Sequence, residues 1–227
     1  MLLSLFNMCW SERKVPSQWH ASRVSAIFKK GAPEQCDNYR PISLVCVAYK
    51  IHATVLLRRL QAAGAESRLT ATQYGFRRGY GTGDAIFCVR RLVELAAAQR
   101  FGRISMLALD WKKAFDSINP KILVLALRRF GVPGRMLDAL GDIYSSRIFR
   151  VADGSNGVSS EHKQMAGISQ GCPLSPFLFV MVMSVIMADA ERELSMAAQQ
   201  TVRSDQLLAL LYADDTLLVS THQEHLQ

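Results

Sequence analysis

Two places in this 227-residue chain set carboxylates where they could do chemistry. Asp110 ends the apolar run ISMLALD, residues 104–110. Asp214 and Asp215 stand side by side between two apolar runs, residues 206–211 and 216–220. Adjacent carboxylates beside buried strands repel each other and cost desolvation energy unless positive charge sits there. A divalent ion removes that problem, and donors that are oxygen only select Mg²⁺ or Mn²⁺. Two such ions about 3.5–4 Å apart would stabilise the attacking and leaving oxygens of a phosphoryl transfer. The two acidic places lie 104 residues apart, so only tertiary structure can bring them together. A bare Asp-Asp pair is also ordinary exposed-turn chemistry, so the surrounding residues must decide.

The elements that would position these acids can be read from the pattern. Residues 104–110 read as a buried strand ending in the carboxylate, and residues 206–211 and 216–220 as a hairpin with acids at its tip. Residues 23–28 (RVSAIF) alternate as a short strand, followed by the turn-like KKGAPEQCDN. Residues 50–63 have apolar side chains three and four apart and predict an amphipathic helix with Gly64 near its end. GFRRGYGTG, residues 75–83, predicts a flexible basic loop, with Asp84 capping a helix over 85–100. Pro120 opens a helix over 121–130 that Gly131 and Pro133 close. Residues 134–146 predict another helix, and residues 147–152 and 158–164 a hairpin around DGSNG. Residues 174–194 predict a long apolar helix whose Met181, Met183 and Met187 are core packing. Residues 1–10 read as a core-facing helix. Strands and helices interleave without regular βαβ alternation, so the predicted class is α+β.

Composition narrows the function. Apolar residues make up 49% of the chain, enough for a real core and against a disordered tail. The net charge is +8, unevenly spread. Residues 1–103 hold 16 Lys and Arg against 6 Asp and Glu, net +10, and residues 104–227 hold 11 against 13, net −2. A basic first half facing a polyanion and an acid-rich second half suit a nucleic-acid or nucleotide enzyme. The five cysteines form no CxxC, and their odd count fits a reducing, intracellular compartment. No His and Cys stand at zinc spacing. The longest apolar run, residues 177–188, is 12 residues and too short to cross a bilayer.

The motifs around the acids resemble those of reverse transcriptases. YADD, residues 212–215, resembles their catalytic hairpin, and LALDWKKAFDSI, with Asp110 to Asp116, their first aspartate motif. GISQGCPLSPFLF, residues 167–179, resembles the Q-G-x-P-x-S-P motif between them. RVSAIFKKG, NYRPISL and QYGFR are similar to finger motifs of the non-LTR retrotransposon branch. These blocks follow one another in family order.

The resemblance implies a right-hand polymerase fold with fingers-like residues 1–103 and a palm over 104–227, an antiparallel palm sheet backed by helices. It implies RNA-directed DNA synthesis with two Mg²⁺ ions, or Mn²⁺, held by Asp110, Asp214, Asp215 and the carbonyl of Trp111. Phe115 would stack under the incoming sugar and exclude a 2′-hydroxyl. Gln170 and Gly171 would line the nucleotide pocket, and Arg40 and Lys30 would touch the triphosphate. Gly75, Phe76 and Arg77 would contact the template strand or the nucleotide. The implied partners are an RNA template, a DNA primer and dNTPs, with no membrane. Asp116 reads instead as a structural residue at a helix start, and Cys172 as a small buried filler.

The resemblance covers fingers and palm. The family continues with further palm strands, a primer-grip hairpin and a helical thumb, so the chain reads as a fragment with an uncovered apolar edge near residues 206–220. Two other readings stay open: a catalytically silent nucleic-acid-binding remnant, and a related polymerase such as an RNA-directed RNA polymerase or a group II intron maturase. Phe115 argues against the RNA polymerase.

Overall fold

The structure is a computed structural model that describes residues 1–99, 102–152, 157–197 and 207–221. The chain divides into two compact units, each made of two chain segments. Met1–Ala63 and Phe115–Leu178 form the first, and Gly64–Ala114 and Phe179–Gln227 the second. The sequence boundary at residue 103 falls within the second unit.

The first unit holds α1 (Leu2–Glu12), β1 (Ala21–Phe28), β2 (Tyr39–Leu44) and α2 (Val47–Ala62) from its first segment. Among the described residues its strands form a four-stranded sheet in the order β2-β1-β4-β5, with β4 at Ile148–Ala152 and β5 at His162–Lys163. β1 runs antiparallel to β2 and parallel to β4. The core forms where helical spacing is regular: α2 buries Tyr49, His52, Ala53, Leu56 and Leu60, which lie three and four residues apart on one face. Two further helices pack on each other, α5 (Pro120–Phe130) and α6 (Gly134–Ser145). Asn119 caps the first of them by accepting from the Lys121 N–H at 2.9 Å, and Gly131 at φ 94 ends it. Arg147 is 1% exposed and lies 5.7 Å from the Tyr49 ring and 5.6 Å from the Tyr144 ring, whose π faces offset part of the cost of burying its charge.

The second unit holds α3 (Thr82–Ala98) and a three-stranded antiparallel sheet in the order β3-β7-β6. Its strands are β3 (Ser105–Leu109), β6 (Leu207–Tyr212) and β7 (Asp215–Ser220). The short α4 (Ala114–Ser117) and the long α7 (Ser175–Ala197) each have residues in both units. Phe179, Val180, Met181 and Met183 of α7 are buried, so the Met residues pack as core. This is the α+β class expected. No helix among the described residues is long and apolar enough to cross a membrane.

Several local expectations need correction. Asp84 is not the N-cap; the helix starts earlier, and Asp84 reaches back to accept from the Gly81 N–H at 2.7 Å. An acid three residues into a helix can satisfy a free N–H as well as one before it. β3 exists, but Met106, Leu107 and Leu109 are 36–38% exposed, so it is not a buried strand. An apolar run reports a strand, whereas burial needs a second layer over it. α1 faces the core as expected on one stripe, with Cys9 buried and the Phe6 ring 6.1 Å from Trp19 and 5.3 Å from His52, while Leu2, Leu3 and Met8 on its other side are exposed. Of the 147–164 hairpin, β4 and β5 pair and Ala152 bridges Val158, while residues 153–156 of the tip lie outside the described residues, as does Gln206.

Candidate active site

In the second unit the sheet carries the acids. β6 and β7 pair down to Tyr212↔Asp215, so Ala213 and Asp214 form a two-residue turn. Ala213 has φ 58, a left-handed backbone costly for a residue with a Cβ. β3 pairs with β7 up to Leu109↔Thr216, and the next residue on each strand is Asp110 on one and Asp215 on the other. The ladder therefore brings Asp110 beside the turn, across 104 residues of sequence. Trp111 fixes that end of β3, its indole N–H donating to Thr216 Oγ1 at 3.1 Å. Asp110 and Asp215 are exposed and Asp214 is half-buried.

A second feature of this unit went unassigned in the sequence. Residues 72–74 run beside β6 as a short parallel stretch: Leu211 N–H donates to the Thr72 carbonyl at 2.9 Å and Tyr74 N–H to the Leu211 carbonyl at 2.8 Å. This covers part of the β6 edge that the sequence leaves open. Gln73, 1% exposed, turns its carboxamide onto the acidic turn. Its Oε1 accepts from the N–H groups of Gly75 at 2.8 Å and Ala213 at 2.9 Å, and its Nε2 donates to the Ala213 carbonyl at 3.4 Å. A Cβ on Gly75 would lie 2.2 Å from the Ala213 nitrogen, so only glycine permits this approach. The available signal was Gln73 inside QYGFR, but nothing local says what a Gln will reach 140 residues away.

Gly75, Phe76 and Arg77 are thus not a loose loop. Phe76 is 45% exposed with φ 56. Arg77 donates to the carbonyls of Gln73 at 3.0 Å and Ala71 at 3.2 Å and lies 4.4 Å over the Tyr80 ring, so its guanidinium braces its own turn. Tyr74 and Cys88 share a hydrogen bond of 3.0 Å, which pushes the Tyr74 phenol up to about 12.

In the first unit the loop 167–171 is laced on two sides. Ile168 N–H donates to the Phe115 carbonyl at 2.9 Å and Gly167 N–H to the Ile118 carbonyl at 2.7 Å. Ser43 N–H on β2 donates to the Gln170 carbonyl at 2.7 Å. A Cβ on Gly171, at φ 114, would lie 2.5 Å from the Ser43 carbonyl oxygen, so β2 already requires glycine there. Gln170 Nε2 donates to both carboxylate oxygens of Asp116 at 3.3 Å, giving Asp116 its structural task. Gln170 and Asp116 line a cavity of about 580 Å³ whose walls include Val24, Tyr39, Pro41 and Phe149. Phe115 is half-buried, and Lys30 and Arg40 are exposed around the β1–β2 hairpin. Cys172 is buried, with Tyr49 Oη at 3.2 Å from its sulfur.

The donor set fits the divalent ion that the resemblance implies. Asp110, Asp214 and Asp215 offer only oxygen ligands, and among the described residues none of the three carboxylates has a side-chain hydrogen bond or ion pair. As the side chains stand, no three His, Cys, Asp or Glu groups among the described residues converge closely enough to enclose one.

The fold is similar to that of solved telomerase structures. The solved telomerase of Candida tropicalis, in complex with a fragment of telomeric RNA, superposes with a TM-score of 0.65 at 12% identity, over 98% of this chain and 41% of that one. The sequence is more specific: residues 27–227 match the family described as reverse transcriptase (RNA-dependent DNA polymerase), and the chain belongs to that family. Its relatives place it in the non-LTR retrotransposon branch. A Pol polyprotein of the R2 retrotransposable element of Popillia japonica is 27% identical over 205 residues, 90% of this chain and 28% of that protein. The RNA-directed DNA polymerase of the mobile element jockey of Drosophila melanogaster is 28% identical over 223 residues, 96% of this chain and 23% of that protein. The chain spans less than a third of the length of these relatives.

Proposed function

We propose that this chain is the fingers and palm of an RNA-directed DNA polymerase that extends a DNA primer on an RNA template with dNTPs. The observation that carries the reading is the β3–β7 ladder, which brings Asp110 beside the Tyr212–Asp215 turn. Asp110, Asp214, Asp215 and the Trp111 carbonyl would hold two Mg²⁺ ions. Such ions supply charge compensation for the attacking and leaving oxygens. The chain's own residues do the rest. Trp111, pinned to Thr216, keeps Asp110 at the end of β3. Phe115 offers a rigid wall against a 2′-hydroxyl, and Gln170, oriented by Asp116, faces the cavity for a base. Lys30 and Arg40, exposed and cationic, suit a triphosphate, and Gly75 and Phe76 a template strand. The basic residues 1–103 fit the fingers role, and the palm role falls to 104–227. The five free cysteines suit an intracellular setting.

The test is primer extension on an RNA template with Mg²⁺. Asp214→Asn is expected to remove incorporation altogether, and activity unchanged by it would sink the assignment. Phe115→Ala should admit ribonucleotides that the unaltered chain rejects.

A binding-only reading draws support from the absence of a preformed three-carboxylate cluster among the described residues. It predicts salt-sensitive RNA binding with no incorporation. A single detectable extension product from this chain excludes it.

A further inference from the structure

We infer that Gln73 is a positioning residue for the Asp-Asp turn: its carboxamide holds Ala213 in the left-handed conformation that aims Asp214 and Asp215. The inference rests on the polymerase reading for its consequence, though not for its geometry.

The argument begins with strain. A two-residue hairpin turn needs a positive φ, and glycine or asparagine usually supplies it. Here the position is Ala213, at φ 58, where an L-residue sits only if its surroundings impose it. Both of its backbone polar groups meet one side chain. Gln73 Oε1 accepts from the Ala213 N–H and Gln73 Nε2 donates to the Ala213 carbonyl, so both polar groups of the strained residue end on one carboxamide. The orientation of that carboxamide is fixed, because the Gly75 N–H also points at Oε1. An amide with its ends exchanged would set N–H against N–H twice.

Residue choice follows from these partners. Two donors and one acceptor must be met by a single buried side chain. Glutamine does so, whereas glutamate cannot donate to the carbonyl and would add negative charge beside two carboxylates. Methionine matches the shape and offers nothing to either N–H. The anchor itself is rigid: residues 72–74 are laddered to β6, Gln73 is 1% exposed, and Gly75 lets the two segments close to contact. Gln73 does not touch the acids. It acts through Ala213 on the residue that follows, as partners of metal ligands commonly do.

The test compares the full chain with Gln73→Met in three measurements: amide exchange at Ala213, Mn²⁺ affinity by paramagnetic titration, and dTTP incorporation on poly(rA) primed with oligo(dT). The expected result is faster exchange at Ala213 with Mn²⁺ affinity and kcat each lowered roughly 10- to 100-fold and KM for dTTP nearly unchanged. A merely structural role would move the melting temperature and spare that split. Faster exchange with Mn²⁺ affinity and kcat at the unaltered level overturns the inference, and so does unchanged exchange. If Gln73→Met fails to fold, Gln73→Asn replaces it. Its carboxamide, one methylene shorter, falls short of Ala213, and the same split should appear. Should the unaltered chain neither bind Mn²⁺ nor incorporate dTTP, the polymerase reading fails instead. Exchange at Ala213 then decides alone whether Gln73 holds the turn.

Discussion

Both units of this chain bury apolar side chains, Phe179, Val180 and Met181 being at most 2% exposed in the second, and they differ in what holds the turn that carries the acids. The first is an apolar and aromatic packing: Tyr49, Leu123, Leu127, Leu140 and Ile143 are at most 2% exposed, and its buried cation lies between two rings. The second keeps its acidic turn in place by directed hydrogen bonds, from Gln73 to the Ala213 backbone and from Trp111 to the Thr216 hydroxyl, while β3 stands about a third exposed. Burial without direction tolerates substitution as long as volume is kept. A turn that must point carboxylates needs direction, and hydrogen bonds supply it at the expense of tolerance.

The sharpest way to break this contrast is to cut both sides. Leu140→Ala, fully buried in the first unit, should cost about 2–5 kcal/mol in denaturant unfolding. Met106→Ala, 38% exposed on β3, should cost no more than about 0.5 kcal/mol. Equal losses would mean that β3 is covered and the contrast false.

A smaller effect separates the glycines of the second unit. Gly75→Ala forces a Cβ to 2.2 Å from Ala213 nitrogen and should cost about 1–3 kcal/mol, with incorporation falling beyond what stability explains. Gly79→Ala, at φ 80 with nothing within 4 Å, should cost about 1 kcal/mol for its backbone alone and leave incorporation unchanged. Calorimetry and primer extension on the two proteins check this.

The smallest effect is a pH slope belonging to the first unit. Burial lowers the His52 imidazole, with Arg59 adding to it. Burial also lowers His20, overcoming the opposing pull of Asp142 at 3.8 Å. The folded state therefore binds fewer protons than the unfolded one. Stability should be complete above the ordinary imidazole value near 6.5 and decline as pH falls below it. Melting curves across that window should show the decline, flattened in His52→Phe. A melting temperature rising as pH falls would reverse the sign.

Much of the site was legible beforehand. YADD between apolar runs gave the hairpin, and LALD gave a strand ending in an acid. Pro120 and Gly131 bounded a helix that forms as read. The illegible parts share one property. The exposure of β3, the contact of Gly171 with Ser43 and the reach of Gln73 to Ala213 all depend on what lies opposite in space.

Sequence alone determined the acids, the strands that carry them and the family, because side-chain alternation, helical spacing and turn chemistry act over two to four residues. Tertiary structure decided which unit each segment joins and what holds Ala213 in its left-handed turn. Those outcomes rest on partners 140 residues apart, whose meeting no local preference encodes.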